Sequence, residues 1–461
     1  MVSKKNKTNY YFVGIKGVGM TMLAQFLAES GNAVSGSDIK DTFLTEAVLK
    51  KARIKVFSPF DPKNIPAKAD AIIYSSAFTP QTNPELRFIK DHPERFTGLK
   101  LSSYAEALGE IFNRHYGLAV CGSHGKTTTS AWLGYVLHKS GLKPSVLVGS
   151  RVPQLKNSSA LKGSSPYFVA EVDEYQNKLQ YFQPQGVILN NIEYDHPDFF
   201  KTEKDYIRAF ADFVKKIPAR GFLVANEDDK HVRSLLKLNR GRNFNYSFKQ
   251  VKGVKVGGGL TSFQFKDLGE FKIRLLGQHN ILNALAVINA ALLLKVPLVK
   301  IKKYLAEFKG TARRAEILGK YKGVLIIDDY AHHPTEIKAT LKAIRAAYPS
   351  QNLITVFHPH TFTRTKALFK DFVTSFSNTD ELIILDIYGS ARERQGGVSS
   401  AQLARAIQTL NQKQKRSQAV SNIANLKEAE KYLRIHLGQN DLLLLLGAGD
   451  VFRVGENLLG K

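Results

Sequence analysis

The chain has 461 residues and a formal net charge of +26 at pH 7, with 43% hydrophobic and 23% charged residues. That length exceeds what a single hydrophobic core supports and predicts about three domains, and the composition excludes a disordered protein. The apolar runs are shorter than the roughly 18 residues that cross a bilayer, and a single cysteine cannot form an internal disulfide. We therefore expect a globular, cytoplasmic protein without a membrane partner.

The excess of positive charge allows two explanations, a nucleic-acid-binding surface or a basic bias in a protein that handles anionic small molecules. Lysine and arginine are scattered along the whole chain, with no arginine-rich helix and no aromatic–basic repeat. We therefore favour small anionic ligands and expect no nucleic-acid partner. A non-enzymatic nucleic-acid-binding protein remains a distant alternative.

Residues 1–113 carry the pattern of a nucleotide-binding α/β unit. A strand at residues 10–14 leads into a glycine turn and an amphipathic helix, and a second strand ends at an acidic residue. The spacing G-x-x-G-x-G differs from the dinucleotide fingerprint, so a tightened turn without a ligand is the alternative. Open α/β sheets bind ligands at the carboxyl ends of their strands. The end of a predicted strand at 71–76 is therefore included in the predicted ligand site. The predicted ligand contacts are Gly14, Gly17, Gly19, Met20, Ser37, Asp38, Ser75 and Ser76.

Residues 114–311 open with a predicted phosphate loop between a strand at 116–121 and a helix at 130–140. Glycines let backbone N–H groups converge on anionic oxygens, the helix N-terminus adds positive potential, and a lysine neutralises a terminal phosphate. Val120 stands where the general phosphate-loop pattern has glycine, so a chance turn is the alternative. The predicted loop residues are Gly122, Ser123, His124, Gly125, Lys126, Thr127 and Thr128.

Acidic and imidazole side chains follow the next two predicted strands of this segment. Glu171 follows a strand at 167–170, and His196 lies beyond a strand at 186–189. Carboxylates at strand ends beside a phosphate loop suit hard cations, although a solvated acidic loop is the alternative. Further along, Asn280 and Asn283 open a helix, where they would either cap it or present amides to a base.

Residues 312–461 contain four predicted strands, at 323–327, 353–357, 382–385 and 441–446, each followed by polar or glycine-rich residues. Helices lie between them, which predicts a further α/β sheet whose carboxyl edge forms a functional rim. The histidine pair at 332–333, taken alone, is ordinarily explained as a capped turn. That explanation does not account for four strands that all end in polar or glycine-rich residues. The predicted rim residues are Asp329, Tyr330, His333, Arg364 and Tyr388.

Taken in order, these motifs resemble those of the Mur ligase family over essentially the whole chain. The loop at 122–129 is similar to the family's Gly-Thr-His-Gly-Lys-Thr-Thr-Thr, and the segments at 14–20, 171–174, 191–196, 277–284, 328–335 and 447–450 follow in the family's order. The resemblance implies an α/β protein of three domains. They are a Rossmann-like UDP-binding domain (1–113), a central P-loop ATPase-type domain (114–311) and a C-terminal Rossmann-like ligase domain (312–461).

The resemblance also implies an enzyme of peptidoglycan synthesis that uses ATP and Mg²⁺ to join L-alanine to UDP-N-acetylmuramate through an acyl phosphate. The implied catalytic residues are Lys126, Glu171, His196, His333 and Arg364. Thr127, Glu171 and His196 would hold metal, and Asn280, Arg314 and Asp329 would join the loop in binding the nucleotide. Tyr330, Arg364 and Tyr388 would face substrate. Because Mg²⁺ prefers oxygen ligands, His196 is the weakest of these assignments.

Some residues depart from the family's pattern. Thr361 stands where the family usually has arginine, so Arg364 is the remaining carboxylate clamp of this motif unless Arg392 or Arg394 supplies a second one. The alternative functions are a UDP-N-acetylmuramate ligase that recycles a tripeptide and another ATP-dependent Mur-type amide ligase. A monomer or a homodimer is expected.

Overall fold

The fold is described from a computed structural model that covers residues 7–41, 43, 45–257, 259–389 and 396–461. Among those residues, no helix combines the length and the apolar composition that a bilayer crossing requires. The α/β fold class predicted from the sequence is confirmed, since parallel sheets alternate with helices along the chain.

The N-terminal part forms a five-stranded parallel sheet in the order β3-β2-β1-β4-β5. Helix α4 begins with a capping box between Ser103 and Glu106, which satisfies backbone donors at its first turn. The elements are β1 (Asn9–Val13), α1 (Val18–Glu29), β2 (Ala33–Ser37), α2 (Glu46–Lys51), β3 (Lys55–Phe57), β4 (Ala71–Tyr74), α3 (Pro84–Asp91), β5 (Lys100–Ser103) and α4 (Tyr104–Asn113).

The central part forms a seven-stranded sheet in the order β12-β11-β10-β6-β9-β7-β8, parallel except for the β7–β8 pair. Its elements are β6 (Tyr116–Cys121), α5 (Lys126–Lys139), β7 (Ser145–Val152), β8 (Ser158–Leu161), β9 (Tyr167–Glu171), β10 (Gly186–Leu189), α6 (Glu203–Val214), β11 (Phe222–Asn226), α7 (Lys230–Leu235) and β12 (Arg242–Tyr246). Helix α5 begins four residues earlier than predicted, because Gly125 adopts a left-handed φ of 79° and ends the loop there.

A small antiparallel sheet, β13-β14-β15, follows, and the sequence analysis did not predict it. Its strands and the two helices after it are β13 (Val251–Gly257), β14 (Leu260–Phe265), β15 (Glu270–Ile273), α8 (Gln278–Leu293) and α9 (Leu298–Glu307). Lys252, Val254, Lys255 and Val256 of β13 are exposed. A half-exposed strand of this kind lacks the continuous apolar run that marks a buried one.

The C-terminal part forms a six-stranded sheet in the order β16-β17-β21-β18-β19-β20, parallel except for β16. Along β21, Leu442, Leu444 and Leu446 pack into one hydrophobic core, and the alternate leucines pack into a second core on the other face. The elements are β16 (Glu316–Tyr321), β17 (Val324–Asp329), α10 (Pro334–Ala347), β18 (Asn352–Phe357), α11 (Phe362–Ala367), α12 (Phe369–Val373), β19 (Glu381–Leu385), α13 (Ser400–Lys413), β20 (Ala419–Ile423), α14 (Leu426–His436), β21 (Asp441–Leu446) and α15 (Phe452–Leu458).

The described chain divides into two compact units. The first contains residues 1–192, 207–246 and 286–304, and so holds both the N-terminal and the central sheets. The second contains residues 193–206, 247–285 and 305–461, and so holds the small sheet and the C-terminal sheet. The segment at 193–206, which follows the central strand β10, belongs to the second unit. The domain boundaries at residues 113 and 311 stay a prediction.

Candidate active site

The predicted phosphate loop connects the end of β6 to the start of α5. Lys126 is the first residue of that helix, and its ammonium donates to the Gly122 carbonyl at 2.5 Å and to the Ser123 carbonyl at 3.1 Å. A third contact, at 3.2 Å, joins it to the carboxylate of Glu174, which is 1% exposed. The lysine is therefore held against its own loop.

Electrostatics keep this lysine charged. Burial alone would lower the pKa of Lys126, but Glu174, Glu171 and Asp173 together raise it above its ordinary value. A permanently charged ammonium in a partly closed loop is suited to neutralising phosphate oxygens.

Two asparagines after β10 hold the shape of the loop. The backbone N–H of Ser123 donates to the Asn191 carbonyl at 3.1 Å, and that of His124 donates to the Asn191 side chain at 2.8 Å. Asn190 donates to Thr129 at 3.0 Å. At Gly122, whose φ is +128°, a β-carbon would lie 2.8 Å from the Asn191 carbonyl, so the loop requires glycine there. Thr128, on the first turn of α5, is buried.

An oxygen-rich pair lies beside this loop. The Thr127 hydroxyl donates to Glu171 at 2.8 Å, and the second carboxylate oxygen of Glu171 accepts from the Gly149 N–H at 2.6 Å. A hydroxyl and a carboxylate at this spacing fit Mg²⁺, which takes hard oxygen ligands. The side chains that were predicted to hold a first metal are therefore brought together within one unit.

The glycine turn after β1 packs closely in two places and is open in a third. The N–H groups of Gly14 and Ile15 both donate to the Ser37 carbonyl, at 2.9 and 3.1 Å. A β-carbon at Gly19 would lie 2.8 Å from the Tyr104 ring, whereas one at Gly17 would meet nothing closer than 3.7 Å. In the structure itself, packing therefore requires glycine at position 19 and leaves room at position 17.

Lys16, which the sequence analysis did not select, organises the segment after β2. Its N–H donates to Asp38 at 2.6 Å, and its buried ammonium reaches the carbonyls of Ile39 and Asp41 at 2.9 Å each and Glu46 at 2.7 Å. Thr45 donates to its carbonyl at 2.5 Å. Lys16 thus contacts five described residues of the segment 38–46, namely Asp38, Ile39, Asp41, Thr45 and Glu46. Burial raises the pKa of Asp38.

The remaining predicted contacts of the N-terminal sheet are spread over several environments. Ser37 is fully buried, and its hydroxyl donates to the Glu85 carboxylate at 2.5 Å. The same carboxylate accepts from the Tyr11 hydroxyl at 3.0 Å. Met20 is buried in the first turn of α1. Ser75 accepts from the Ala77 N–H, and Ser76 is exposed. Ser37 is therefore part of a buried hydrogen-bond network, Met20 packs in the interior, and Ser76 is open to solvent.

In the second unit, an arginine pair and two aspartates join β16 and β17. Arg313 donates to Asp328 at 3.1 Å and to the Gly447 carbonyl at 2.6 Å, which ties it to the turn after β21. The Arg314 guanidinium lies 5.0 Å from the centre of the Tyr330 ring. Asp329 accepts from two backbone N–H groups, those of Ala315 at 2.7 Å and Ala331 at 2.8 Å. Asp329 therefore fixes its own loop.

Two more predicted groups lie at the beginnings of helices in this unit. His333 is buried and caps α10 through a reciprocal capping box with Glu336. Asn280 is inside α8 rather than at its cap, since its amide donates back to the Leu276 carbonyl at 2.8 Å and also accepts from Asn283 at 3.0 Å. The capping interpretation of the two asparagines is therefore wrong.

Arg364 and Asp195 form a buried ion pair at the rim. The guanidinium donates to the carboxylate through Nε at 3.3 Å and through Nη2 at 3.1 and 3.3 Å. Burial alone would raise the pKa of Asp195, but Arg364 and neighbouring imidazoles hold it well below its usual range. His196 follows directly, with a left-handed φ of 59°, and its N–H donates to the same carboxylate at 2.7 Å.

Tyr388 lies on the neighbouring strand end and is 45% exposed. Its backbone pairs with Pro359 and Thr361, at 2.9 Å in each case, and its ring stacks on His360 at 5.5 Å. Burial lowers the pKa of His332 to about 3, so this imidazole is neutral at pH 7. Arg392 and Arg394, the alternative second clamp, lie outside the described residues.

Three family models match successive parts of the chain. They are "Mur ligase family, catalytic domain" over residues 9–116, "Mur ligase middle domain" over 120–291 and "Mur ligase, glutamate ligase domain" over 313–449. The chain belongs to the Mur ligase family.

Individual relatives are similar in sequence to this Mur ligase over nearly its full length. It is 38% identical to the UDP-N-acetylmuramate–L-alanine ligase of Desulfitobacterium hafniense (strain Y51), covering 97% of this chain and 99% of the relative. It is 39% identical to the enzyme of that name from Clostridium kluyveri, covering 99% of each. Among solved structures it resembles the UDP-N-acetylmuramate-alanine ligase MurC of Thermotoga maritima, with a TM-score of 0.81, 25% identity and 98% of both chains covered.

Three residues of this Mur ligase contact predicted site residues or their neighbours in ways that sequence spacing does not reveal. Lys16 holds the segment 38–46, Glu174 holds the phosphate-loop lysine, and Asp195 holds Arg364. Glu174 and Asp195 lie inside acidic motifs that the sequence analysis quoted, so the available signal was their position at strand ends. Lys16 had a weaker signal, as a basic residue inside a glycine turn.

Proposed function

We propose that this Mur ligase joins L-alanine to UDP-N-acetylmuramate at the expense of ATP, in peptidoglycan synthesis. The observation that carries the proposal is the full-length similarity, at 38–39% identity, to relatives named for that reaction. The charged phosphate-loop lysine and the buried arginine of the rim support it. The domain boundaries at residues 113 and 311, and a cytoplasmic location, are part of the proposal.

The proposed reaction has two steps. A carboxylate is a poor acyl donor, so an oxygen of the muramyl lactyl carboxylate first attacks the γ-phosphorus of ATP, releasing ADP and leaving an acyl phosphate. The amine of alanine then attacks the acyl carbon, and the tetrahedral intermediate expels inorganic phosphate while the amine loses a proton to form the amide. Such phosphoryl transfer depends mainly on positioning and on charge neutralisation.

The residues divide between these steps by their chemistry. Lys126 would neutralise the β- and γ-phosphate oxygens, and the N–H groups of the loop at 122–128 would bind the phosphates. Thr127 and Glu171 would hold one Mg²⁺, which would supply charge neutralisation at the transferred phosphoryl group, and His196 would hold a second metal near the reacting carboxylate. Asn280, Arg314 and Asp329 would bind the nucleotide.

The rim would receive the amino acid. Arg364 would pair with its carboxylate, since a planar guanidinium matches that group through two charge-assisted hydrogen bonds. His333, Tyr330 and Tyr388 would line the space around it. The glycine turn at 14–20, the strand ends at 37–38 and 75–76, and Lys16 would form the UDP-sugar site.

Phosphate release tests the proposal directly. The purified protein is given UDP-N-acetylmuramate, ATP and Mg²⁺, and each amino acid in turn, with the mass of the product read in parallel. Release that depends on L-alanine, together with a product heavier by one alanyl residue, is the expected result. A parallel assay replaces the amino acid with a free tripeptide as the amine donor. Turnover only with the tripeptide would favour the recycling ligase, and turnover with neither donor would contradict the proposal.

A further inference from the structure

We propose that Asp195 is a positioning residue that presents Arg364 to the carboxylate of the amino-acid substrate. The inference rests on the proposed function, because it takes an amino acid to be the amine donor. Both residues belong to the same compact unit. Asp195 and Arg364 are 8% and 9% exposed, so their interaction is shielded from the solvent that weakens surface ion pairs.

The contacts leave half of the guanidinium available. Asp195 accepts from Nε and Nη2, which form the side-on edge of the group. Among the described residues, Arg364 makes its side-chain hydrogen bonds through Nε and Nη2 and none through Nη1. A guanidinium has five N–H donors, so a second carboxylate can bind at the end-on Nη1–Nη2 edge while Asp195 remains in place.

The same carboxylate also fixes the neighbouring histidine. His196 has a left-handed φ of 59°, a strained conformation for a residue with a side chain, and its N–H donates to Asp195 at 2.7 Å. One carboxylate therefore contacts both the predicted clamp and the backbone of the predicted metal-binding histidine. Without it, a long buried side chain would have to be ordered each time substrate binds, at a cost in rotamer entropy.

Steady-state kinetics of Asp195→Asn and Asp195→Ala test the role, with L-alanine and L-alaninamide compared as amine donors. The amide lacks the carboxylate that Arg364 would bind. We expect the alanine variant to raise KM for L-alanine roughly tenfold or more, because a charge-assisted hydrogen-bond network is lost. KM for ATP and for UDP-N-acetylmuramate should stay within about twofold. The preference for L-alanine over its amide should fall, and the asparagine variant should lie between the alanine variant and the wild type.

Two further variants separate positioning from general damage. Asp198→Asn removes an exposed carboxylate three residues away in the same segment, and should leave all three KM values unchanged. In an Arg364→Ala background, Asp195→Ala should have little additional effect on KM for L-alanine, because two residues acting through one contact are non-additive.

Several results would overturn the inference. A lower KM for L-alanine in Asp195→Ala would mean that Asp195 competes with substrate for the guanidinium. Equal losses for L-alanine and its amide, or full additivity with Arg364→Ala, would reduce Asp195 to a structural role. Failure of the wild type to use L-alanine would contradict only the proposed function. The role of Asp195 would then be tested by comparing whichever amino acid supports turnover with the amide of that amino acid.

Discussion

The ammonium of Lys126 lies 3.2 Å from the carboxylate of Glu174, and the same ammonium contacts the carbonyls of Gly122 and Ser123. The group that we expect to meet phosphate is thus turned towards its own loop and a buried acid. Phosphate oxygens arriving at this loop would provide a second source of negative charge. Lys126 and Glu174 therefore form a pair whose energetics should depend on nucleotide.

Lys126→Ala should abolish ATP-dependent ligation. The chain should still fold, because the side chain does not pack in an apolar core, but its stability should fall because the buried Glu174 carboxylate loses this counter-charge. The measurement is kcat for phosphate release, with circular dichroism as the check on folding. Retention of more than about a tenth of wild-type kcat, a barrier change below roughly 1.4 kcal/mol, contradicts the assigned role.

Glu174→Gln should destabilise the nucleotide-free protein by about 1–3 kcal/mol, since it leaves a buried ammonium without its nearest counter-charge. Saturating ATP should raise the melting temperature of this variant by more than it raises that of the wild type, because phosphate replaces the lost carboxylate. Thermal unfolding with and without ATP measures both effects. Equal responses of the two proteins to ATP would show that the ion pair and the nucleotide are not coupled.

The sequence predicted the parts of this molecule that depend on local pattern. Strand ends with polar residues were found along both large sheets, and the leucine run at 442–446 is a strand buried on both faces. The family and the α/β fold class were predicted and are confirmed. The small sheet β13-β14-β15 was missed, because exposed residues on β13 conceal its periodicity.

The partners of the site residues could not be predicted. Asp195 and Arg364 are 169 positions apart, and no spacing rule connects them. Gly17 and Gly19 look equivalent in the sequence, yet only Gly19 has a ring against it. The start of α5 was placed too late because the loop ends at a single left-handed glycine. Each failure concerns tertiary contact or one backbone angle rather than the type of element.

The glycine turn offers a matched pair of substitutions. Gly19→Val should raise KM for UDP-N-acetylmuramate far more than KM for ATP, because the new side chain would collide with the Tyr104 ring at the start of α4 and displace the turn. Gly17→Ala, which meets nothing closer than 3.7 Å, should fold normally and reports on whether the bound sugar nucleotide itself needs the space. An equal rise in both KM values for Gly19→Val would place the turn in general folding.

Lys16→Met should raise KM for UDP-N-acetylmuramate by roughly tenfold, since the ammonium holds the segment 38–46 through two carbonyls and Glu46. KM for ATP should not change. Lys40→Met, an exposed lysine on the same segment, is the control for loss of positive charge. If both variants raise KM for UDP-N-acetylmuramate equally, the general positive charge of the segment matters and the specific contacts of the Lys16 ammonium do not.

Asp328 should make stability depend on pH. It is fully buried, its Oδ1 has no hydrogen-bond partner among the described residues, and burial raises its pKa to about 7. Between about pH 4 and 7 the folded protein therefore binds more protons at this site than the unfolded chain, so the site lowers stability as pH rises. Asp328→Asn should reduce the fall in melting temperature between pH 5.5 and 7.5. The exposed Asp371→Asn is the control, and identical pH profiles would contradict the assignment.

Thr361 is the position at which this chain departs from the family's usual arginine, and its environment allows that arginine to be tested. Thr361 caps α11 with a long hydrogen bond of 3.4 Å from the Arg364 N–H, and its φ is 71°. Losing this cap should cost about 1 kcal/mol or less.

Thr361→Arg would place a second guanidinium beside Arg364, whose own charge is balanced by Asp195 at 3.1 Å. We therefore expect the substitution to lower KM for L-alanine and to leave KM for ATP unchanged, as measured by phosphate release. Thr361→Ser keeps the cap and Thr361→Ala removes it, so these two variants separate capping from charge. A higher KM in Thr361→Arg, with normal values in both controls, would mean that another basic residue already supplies the second clamp and that the new side chain crowds it.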